Sequence, residues 1–168
     1  MPNTTLPIER LTAERFAPFG QAIIKPGAVP TSCGTGWDCW FDVGRLADAD
    51  LRIGQVVTQR TGEPVAVMER HPGEEFLLPV DGPLIQVVAP AGDLGDPTGR
   101  PDASAAVAFR IEPGEAVVVA PGVWHAAALP VAETALYYFT GLPHPPEPGR
   151  EDSSWVAFRD GVVLRIEV

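Results

Sequence analysis

Short apolar runs, separated by glycine, proline and polar residues, recur along the whole chain. The turn residues punctuate these runs at intervals of about 8–12 residues, which is typical of short β-strands. The clearest predicted strands are residues 21–25, 37–43, 51–59, 64–68, 83–90, 105–111, 115–119 and 134–140. We expect roughly ten strands in all, folded as a sandwich or a barrel.

One helix is expected, near the N-terminus, in residues 11–20. Thr12 is a suitable N-cap, Glu14 lies in the first turn, and Pro18 with Gly20 ends the helix. Nineteen prolines and seventeen glycines are too many for a helical protein. The predicted class is therefore all-β with a short N-terminal helix.

The end of the chain predicts a β-hairpin in residues 155–168, because Asp160 and Gly161 form a strong two-residue turn signal. A length of 168 residues, with 45% apolar residues, fits one domain with a real core. We expect residues 1–168 to form that single domain. It divides into an N-terminal helix and strands (1–45), a barrel core (46–141) and a C-terminal loop and hairpin (142–168).

The charge excludes several partners. A net charge of −10, without a cluster of Lys or Arg, argues against nucleic acid and against an anionic membrane. Cys33 and Cys39 are the only cysteines, too few for a disulfide framework, and a reduced cytoplasm is the default location. Neither a signal peptide nor a membrane anchor is expected. The expected partner is a small molecule.

Two stretches carry the candidate chemistry. Residues 68–82 place His71 and Glu75 at a strand turn, residues 114–125 end in His125, and two hairpins would aim these three side chains at one point. Two imidazoles and a carboxylate suit a divalent metal with open positions, and the set does not distinguish Zn, Mn, Fe or Ni. Glu69 shares a strand face with His71 and is a candidate fourth ligand. Taken singly, each residue is more often a solvated surface group, so the combined spacing favours the site.

The spacing resembles the two sequence motifs of the cupins. Three residues lie between His71 and Glu75, and two lie between Gly122 and His125. Glu69 stands where the first histidine of the cupin pair is usual. The resemblance implies a cupin-type double-stranded β-helix, that is, a jelly-roll barrel.

A narrower resemblance covers most of the chain. Residues 11–20, 69–72 (ERHP), 76–79, 87–90 and 123–125 (VWH) are similar, in the same order, to the ureidoglycolate lyase family of allantoin and purine breakdown. The resemblance implies a carbon–nitrogen lyase that splits ureidoglycolate into glyoxylate and urea, often as a homodimer. Exposed strand edges also favour a homodimer. No nucleotide cofactor is expected.

The same resemblance implies roles near the cluster. Glu69, His71, Glu75 and His125 are the expected catalytic residues, and the last three are the expected metal ligands. Glu69 or Glu74 would act as base, with its pKa raised by desolvation in the barrel mouth.

Arg70, Trp124 and Tyr138 are the candidate substrate contacts. Arg70 alternates to the other face of its strand and is the weakest of the three. Trp124 fits barrel packing as well as a substrate wall. Only one of Tyr137 and Tyr138 can face the pocket, because neighbouring residues of a strand point to opposite faces.

Departures from the family pattern keep two alternatives open. Val118, Val119 and Pro121 stand where the family usually carries Asn, Tyr and a basic residue, and Ala126 stands where a histidine is common. Glu75 replaces a usual glutamine, which moves the site toward a typical metal-binding cupin. The alternatives are a divergent metal-dependent isomerase, epimerase or oxygenase acting on another small acid, and a ligand-binding cupin without catalysis.

Overall fold

The computed structural model describes residues 2–24, 29, 32–34, 37–39, 44–46, 51–141 and 155–167. These residues contain sixteen strands, one α-helix (α1, Ala13–Phe16) and one turn of 3-10 helix (Ala103–Ala105). The strands are β1 Asn3–Leu6, β2 Ile8–Arg10, β3 Gly20–Ile23, β4 Ser32–Gly34, β5 Trp37–Cys39, β6 Arg52–Gln59, β7 Val67–Met68, β8 Glu75–Pro79, β9 Leu84–Ala89, β10 Val107–Ile111, β11 Ala116–Val119, β12 Trp124–His125, β13 Leu129–Pro130, β14 Thr134–Gly141, β15 Val156–Ala157 and β16 Val163–Ile166. Parts of the predicted strands 21–25 and 37–43, and the segment 142–154, lie outside the described residues.

Two five-stranded sheets form the body of the fold. The first has the order β3-β11-β8-β14-β6, and the second has the order β12-β9-β10-β2, with β13 also paired to β9. Inward-facing residues of both sheets meet in one core, for example Leu77 and Val117 from the first and Leu84 and Val88 from the second. Alternation along each strand sends every second side chain into this core. The expected all-β, cupin-type jelly-roll barrel with a short N-terminal helix is confirmed.

Strand β9 is buried on both faces. Leu84 and Val88 face the core between the sheets, whereas Ile85 and Val87 belong to a second apolar cluster on the outer side. This double burial explains why the segment is a nearly continuous apolar run rather than an alternating one. Its single polar residue, Gln86, is 1% exposed.

Helix α1 contacts the core through Phe16 and begins as expected. The Thr12 hydroxyl accepts a hydrogen bond from the Arg15 backbone N–H at 3.2 Å, so Thr12 is the N-cap. Phe16 is fully buried, with its ring edge-on to Phe109 at 5.2 Å between centroids. At Gly20 a Cβ would lie 1.8 Å from the Val118 carbonyl oxygen, and φ is +145°, so no larger residue fits this entry into β3.

The predicted C-terminal hairpin is wrong, although its turn is confirmed. Gly161 has φ +63° and its N–H donates to the Phe158 carbonyl oxygen at 3.1 Å. The flanking strands do not pair with each other, because β15 pairs with β7 and β16 runs parallel to β1. Phe158 and Leu164 are thereby buried in the outer apolar cluster. A local turn signal does not determine the partner that buries the most apolar surface.

Candidate active site

The two motif stretches lie side by side as antiparallel neighbours. Glu75 is paired with Val119, and Glu69 forms an isolated bridge with His125 through two backbone hydrogen bonds of 2.9 Å. The two stretches were expected to be hairpins and are not: β8 and β11 belong to the first sheet, whereas β12 belongs to the second. Each stretch crosses between the sheets, and the crossing brings the ionisable side chains together.

A glycine turn makes the crossing in the second stretch. Gly122 has φ +77°, a conformation that favours glycine, and its N–H donates to the His71 carbonyl oxygen at 2.8 Å. The Gly122 carbonyl oxygen in turn accepts from the Gly92 N–H at 2.9 Å. Backbone hydrogen bonds to His71 and to Gly92 therefore fix this turn, which lies three residues before His125.

Glu69, His71, Glu75 and His125 form one cluster. Nε2 of His71 lies 3.6 Å from Oε2 of Glu69 and 3.8 Å from Oε2 of Glu75. Nε2 of His125 lies 4.0 Å from Oε1 of Glu69 and 3.8 Å from Oε2 of Glu75. The two imidazole centroids are 5.1 Å apart. The side chain of His71 is 38% exposed and that of His125 is 3% exposed, so the cluster spans the boundary between solvent and interior.

The tautomer of His125 follows from its neighbours. Nδ1 lies 3.0 Å from the Val123 carbonyl oxygen, and a carbonyl oxygen only accepts, so Nδ1 carries the hydrogen in the neutral ring. Nε2 then presents a lone pair, and this buried atom has no hydrogen-bond partner. A lone pair held in this way suits a metal ion or a proton as its partner.

Glu75 has a perturbed carboxyl group. Burial raises its pKa above the ordinary value, and His125 and His71 offset part of that shift. The negative charge of Glu69 adds to the increase. A carboxyl whose pKa is shifted toward neutrality can both accept and return a proton near physiological pH.

The cluster fits a divalent metal ion. The ligand atoms of Glu69, His71 and His125 all lie within 4.8 Å of one another. Imidazole nitrogen with carboxylate oxygen is a donor set for Zn, Mn, Fe or Ni, and the free lone pair of His125 is already oriented by Val123. Glu75 does not belong to this group of three, although its Oε2 lies 3.8 Å from Nε2 of each histidine.

A cavity of about 180 Å³ adjoins the cluster. Pockets for drug-sized ligands are commonly about 300–1,000 Å³, so this one suits a small substrate. Its lining residues are Val56, Glu69, Glu75, Leu77, Gln86, His125, Ala126, Ala127, Ala128, Tyr137, Phe139 and Trp155. Glu69 is among these lining residues and Glu74 is not, and the prediction that one of the two acts as base stays a prediction.

Comparison with known proteins agrees with this site. Residues 3–162 match the ureidoglycolate lyase family. The chain belongs to that family. It is 38% identical over 141 residues to a ureidoglycolate lyase of Burkholderia mallei (strain NCTC 10229), an alignment that covers 78% of each chain. It is 33% identical over 140 residues to ureidoglycolate lyase 2 of Rhizobium meliloti (strain 1021), covering 77% of this chain and 81% of the relative.

Solved structures are more distantly similar. The sugar epimerase RmlC of Legionella pneumophila Philadelphia 1 shares 14% identity, with a TM-score of 0.45 over 61% of this chain and 53% of that chain. Nothing about function follows from a similarity of this size. Within the described residues of this family member, no helix has the length and apolar character needed to cross a membrane.

The tyrosine prediction needs correction. Tyr137 lines the cavity and is 8% exposed, whereas Tyr138 is 38% exposed on the other face of β14. Burial, together with the charges of Glu75 and Glu69, raises the pKa of Tyr137 to about 12. Its hydroxyl therefore remains a hydrogen-bond donor at neutral pH. Tyr138, the predicted substrate contact, does not face the cavity in this ureidoglycolate lyase family member.

Arg70 and Trp124 also lie away from the cavity. The Arg70 guanidinium carbon lies 4.4 Å from the centre of the Trp124 ring, and Nη2 donates to the Asp96 carbonyl oxygen at 2.5 Å. A Cβ at Gly92 would lie 2.3 Å from Arg70 Nη1, so the loop at residues 91–104 packs tightly against this pair. The predicted substrate contacts of Arg70 and Trp124 are therefore not supported by their placement; their packing and hydrogen bond anchor the loop.

Gln86 and Trp155 also line the cavity, and neither was predicted from the sequence. Gln86 could have been noticed as the one polar residue in an apolar strand, but nothing near Trp155 indicated its position. The positions where this chain departs from the family pattern, Val118 and Val119, are buried and do not line the cavity. Gln86 and Tyr137 are polar groups of the cavity wall in addition to Glu69, Glu75 and His125.

Proposed function

We propose that this protein is a ureidoglycolate lyase that cleaves ureidoglycolate to glyoxylate and urea. Its membership of the ureidoglycolate lyase family over residues 3–162 carries the proposal. The cluster of two carboxylates and two imidazoles at a small cavity supports it, because the reaction is a proton transfer coupled to C–N cleavage.

Glu75 is proposed as the proton-transfer group. As the C–N bond breaks, the substrate hydroxyl gives its proton to the carboxylate and its oxygen becomes the aldehyde oxygen of glyoxylate. The electron pair of the broken bond goes to the nitrogen, which takes the proton back from Glu75 and leaves as urea. Glu75 lines the cavity and lies 3.8 Å from Nε2 of both imidazoles, a position from which it can reach a bound substrate.

Glu69, His71 and His125 are proposed to hold a divalent metal. A metal bound there would polarise the hydroxyl or the carboxylate of the substrate. The sequence prediction of Glu75 as a ligand stays a prediction that elemental analysis of Glu75→Gln tests. A variant that keeps its metal but loses turnover would assign Glu75 to proton transfer, whereas loss of the metal would assign it to the ligand set.

The decisive assay measures glyoxylate release from ureidoglycolate, with a protein-free baseline. Wild-type protein is expected to accelerate release, and Glu75→Gln is expected to lower kcat by about 10²–10⁴-fold, the usual contribution of a positioned acid or base. Glu74→Gln makes the same change one residue away, outside the cavity, and is expected to keep the wild-type rate. Ligand binding by the wild type without turnover would overturn the proposal in favour of a non-catalytic cupin.

A single domain, a homodimer and a cytoplasmic location are proposed as well. The dimer is supported by Ile53 and Val57, which are exposed on β6, the strand that ends the first sheet in the described part of the chain. Light scattering on wild type and Val57→Lys tests it. A monomeric wild type would contradict the dimer.

A further inference from the structure

Gln86 occupies the inner face of β9 beside the catalytic cluster. Its neighbours on that face, Leu84 and Val88, are core residues, and Val88 is paired with His125. Side chains of paired residues lie on the same face of a sheet, so Gln86 is one step along the strand from His125. Gln86 lines the cavity and is 1% exposed.

The side-chain nitrogen of Gln86 has a hydrogen-bond partner, whereas the side-chain oxygen has none. Nε2 donates to the Ala126 carbonyl oxygen at 2.7 Å. The reverse orientation would place two oxygens against each other, so this bond fixes which atom is the oxygen. Oε1 is then a buried acceptor, and it has no hydrogen-bond partner. Buried polar atoms in folded proteins are nearly always paired, so a partner from the ligand is the natural completion.

We infer that Gln86 Oε1 accepts a hydrogen bond from a ureido N–H of the substrate and so selects the ureido end for this part of the cavity. A carbonyl oxygen accepts only, and it therefore discriminates against a substrate carboxylate and in favour of N–H donors. Gln86 is therefore a specificity-determining residue. The inference rests on the proposed function, because it takes ureidoglycolate, which carries a ureido group, as the substrate.

Two ligands of matched shape test the inference. Ureidoacetate lacks the substrate hydroxyl and is not cleaved, and in 4-oxopentanoate carbon replaces both of its nitrogens while the carbonyl and the carboxylate remain. Calorimetry on the protein as purified should show ureidoacetate binding about tenfold more tightly, the value of one neutral hydrogen bond. Gln86→Met, which keeps the length of the side chain without polar atoms, should reduce this preference to about one.

The control is Gln55→Met, the same change on the exposed side of β6, which should keep the wild-type preference. A purely structural role of Gln86 would weaken both ligands equally and leave their ratio unchanged. A ratio near one in the wild type, or a preference that persists in Gln86→Met, would overturn the inference. Where Gln86→Met does not fold, a wild-type ratio near one still overturns the inference.

Failure of the inference and failure of the function are distinguishable. A wild type that cleaves ureidoglycolate but shows no ligand preference contradicts only the role of Gln86. A wild type that neither cleaves ureidoglycolate nor binds either ligand contradicts the proposed function. Where turnover occurs but both ligands bind too weakly to measure, an unchanged kcat/KM in Gln86→Met overturns the inference, and an approximately tenfold loss supports it.

Discussion

The inner and outer faces of the segments that cross between the two sheets carry different kinds of side chain. Glu69, His71 and His125 face inward, where ionisable groups stand 3.6–4.0 Å apart and one imidazole nitrogen has no hydrogen-bond partner. Arg70 and Trp124, their immediate neighbours in the chain, face outward and pack on each other beneath the loop. Adjacency to a functional residue in the sequence therefore says little about function in a strand, because alternation separates neighbours onto opposite faces.

The largest expected effect is on the inner face. His125→Ala should abolish turnover of ureidoglycolate, by about 10³-fold or more, because it removes a metal ligand or an acid-base group from a buried site. Elemental analysis should show loss of bound metal in parallel. Retention of both activity and metal would contradict the assignment of the inner face.

A substitution on the outer face should lower the stability of the protein and leave its activity unchanged. Trp124→Ala should lower the free energy of unfolding by about 3–5 kcal/mol, the usual cost of truncating a large buried aromatic side chain, and should leave kcat of the folded protein nearly unchanged. Chemical denaturation and steady-state kinetics measure the two quantities. A large fall in kcat with normal stability would mean that Trp124 acts on the substrate after all.

Tyr137 and Tyr138 allow the same substitution to be made on each face of β14, with a smaller expected effect on activity. Tyr137→Phe removes a cavity hydrogen-bond donor and should lower kcat/KM by about tenfold, whereas Tyr138→Phe on the exposed face should change it little. Both variants lose one hydroxyl from the same strand. Equal effects would indicate that the exposed face of β14 also participates.

The smallest expected effect is on stability as a function of pH. The folded-state pKa of Glu75 is raised, so its contribution to stability is present below the unfolded pKa of about 4.3 and is lost as pH rises through the folded value. In chelator-treated protein, Glu75→Gln should therefore gain stability relative to wild type as pH rises from about 4.3 through the raised folded-state pKa of Glu75. Thermal melts across this range measure the difference. A constant difference would show that Glu75 is not desolvated in the folded state.

Much of the fold and the core of the site could be predicted from local patterns. Alternating apolar residues and turn glycines are properties of neighbouring positions, so they indicated the strands, the cap at Thr12 and the turn at Gly161. The spacing of His71, Glu75 and His125 indicated residues that the structure brings together. Glu69 was expected on the face of His71 for the same reason, and it lies there.

Strand partners and burial were decided only by the tertiary structure. The C-terminal strands pair with β1 and β7 rather than with each other, because those positions bury Phe158 and Leu164 against the outside of β9. The inward direction of Tyr137 and the unpaired oxygen of Gln86 likewise depend on which sheet lies opposite. Sequence alone determined the types of element and the ionisable groups, since these follow from local chemistry. Which groups share a cavity depends on long-range packing, which no short stretch of this chain encodes by itself.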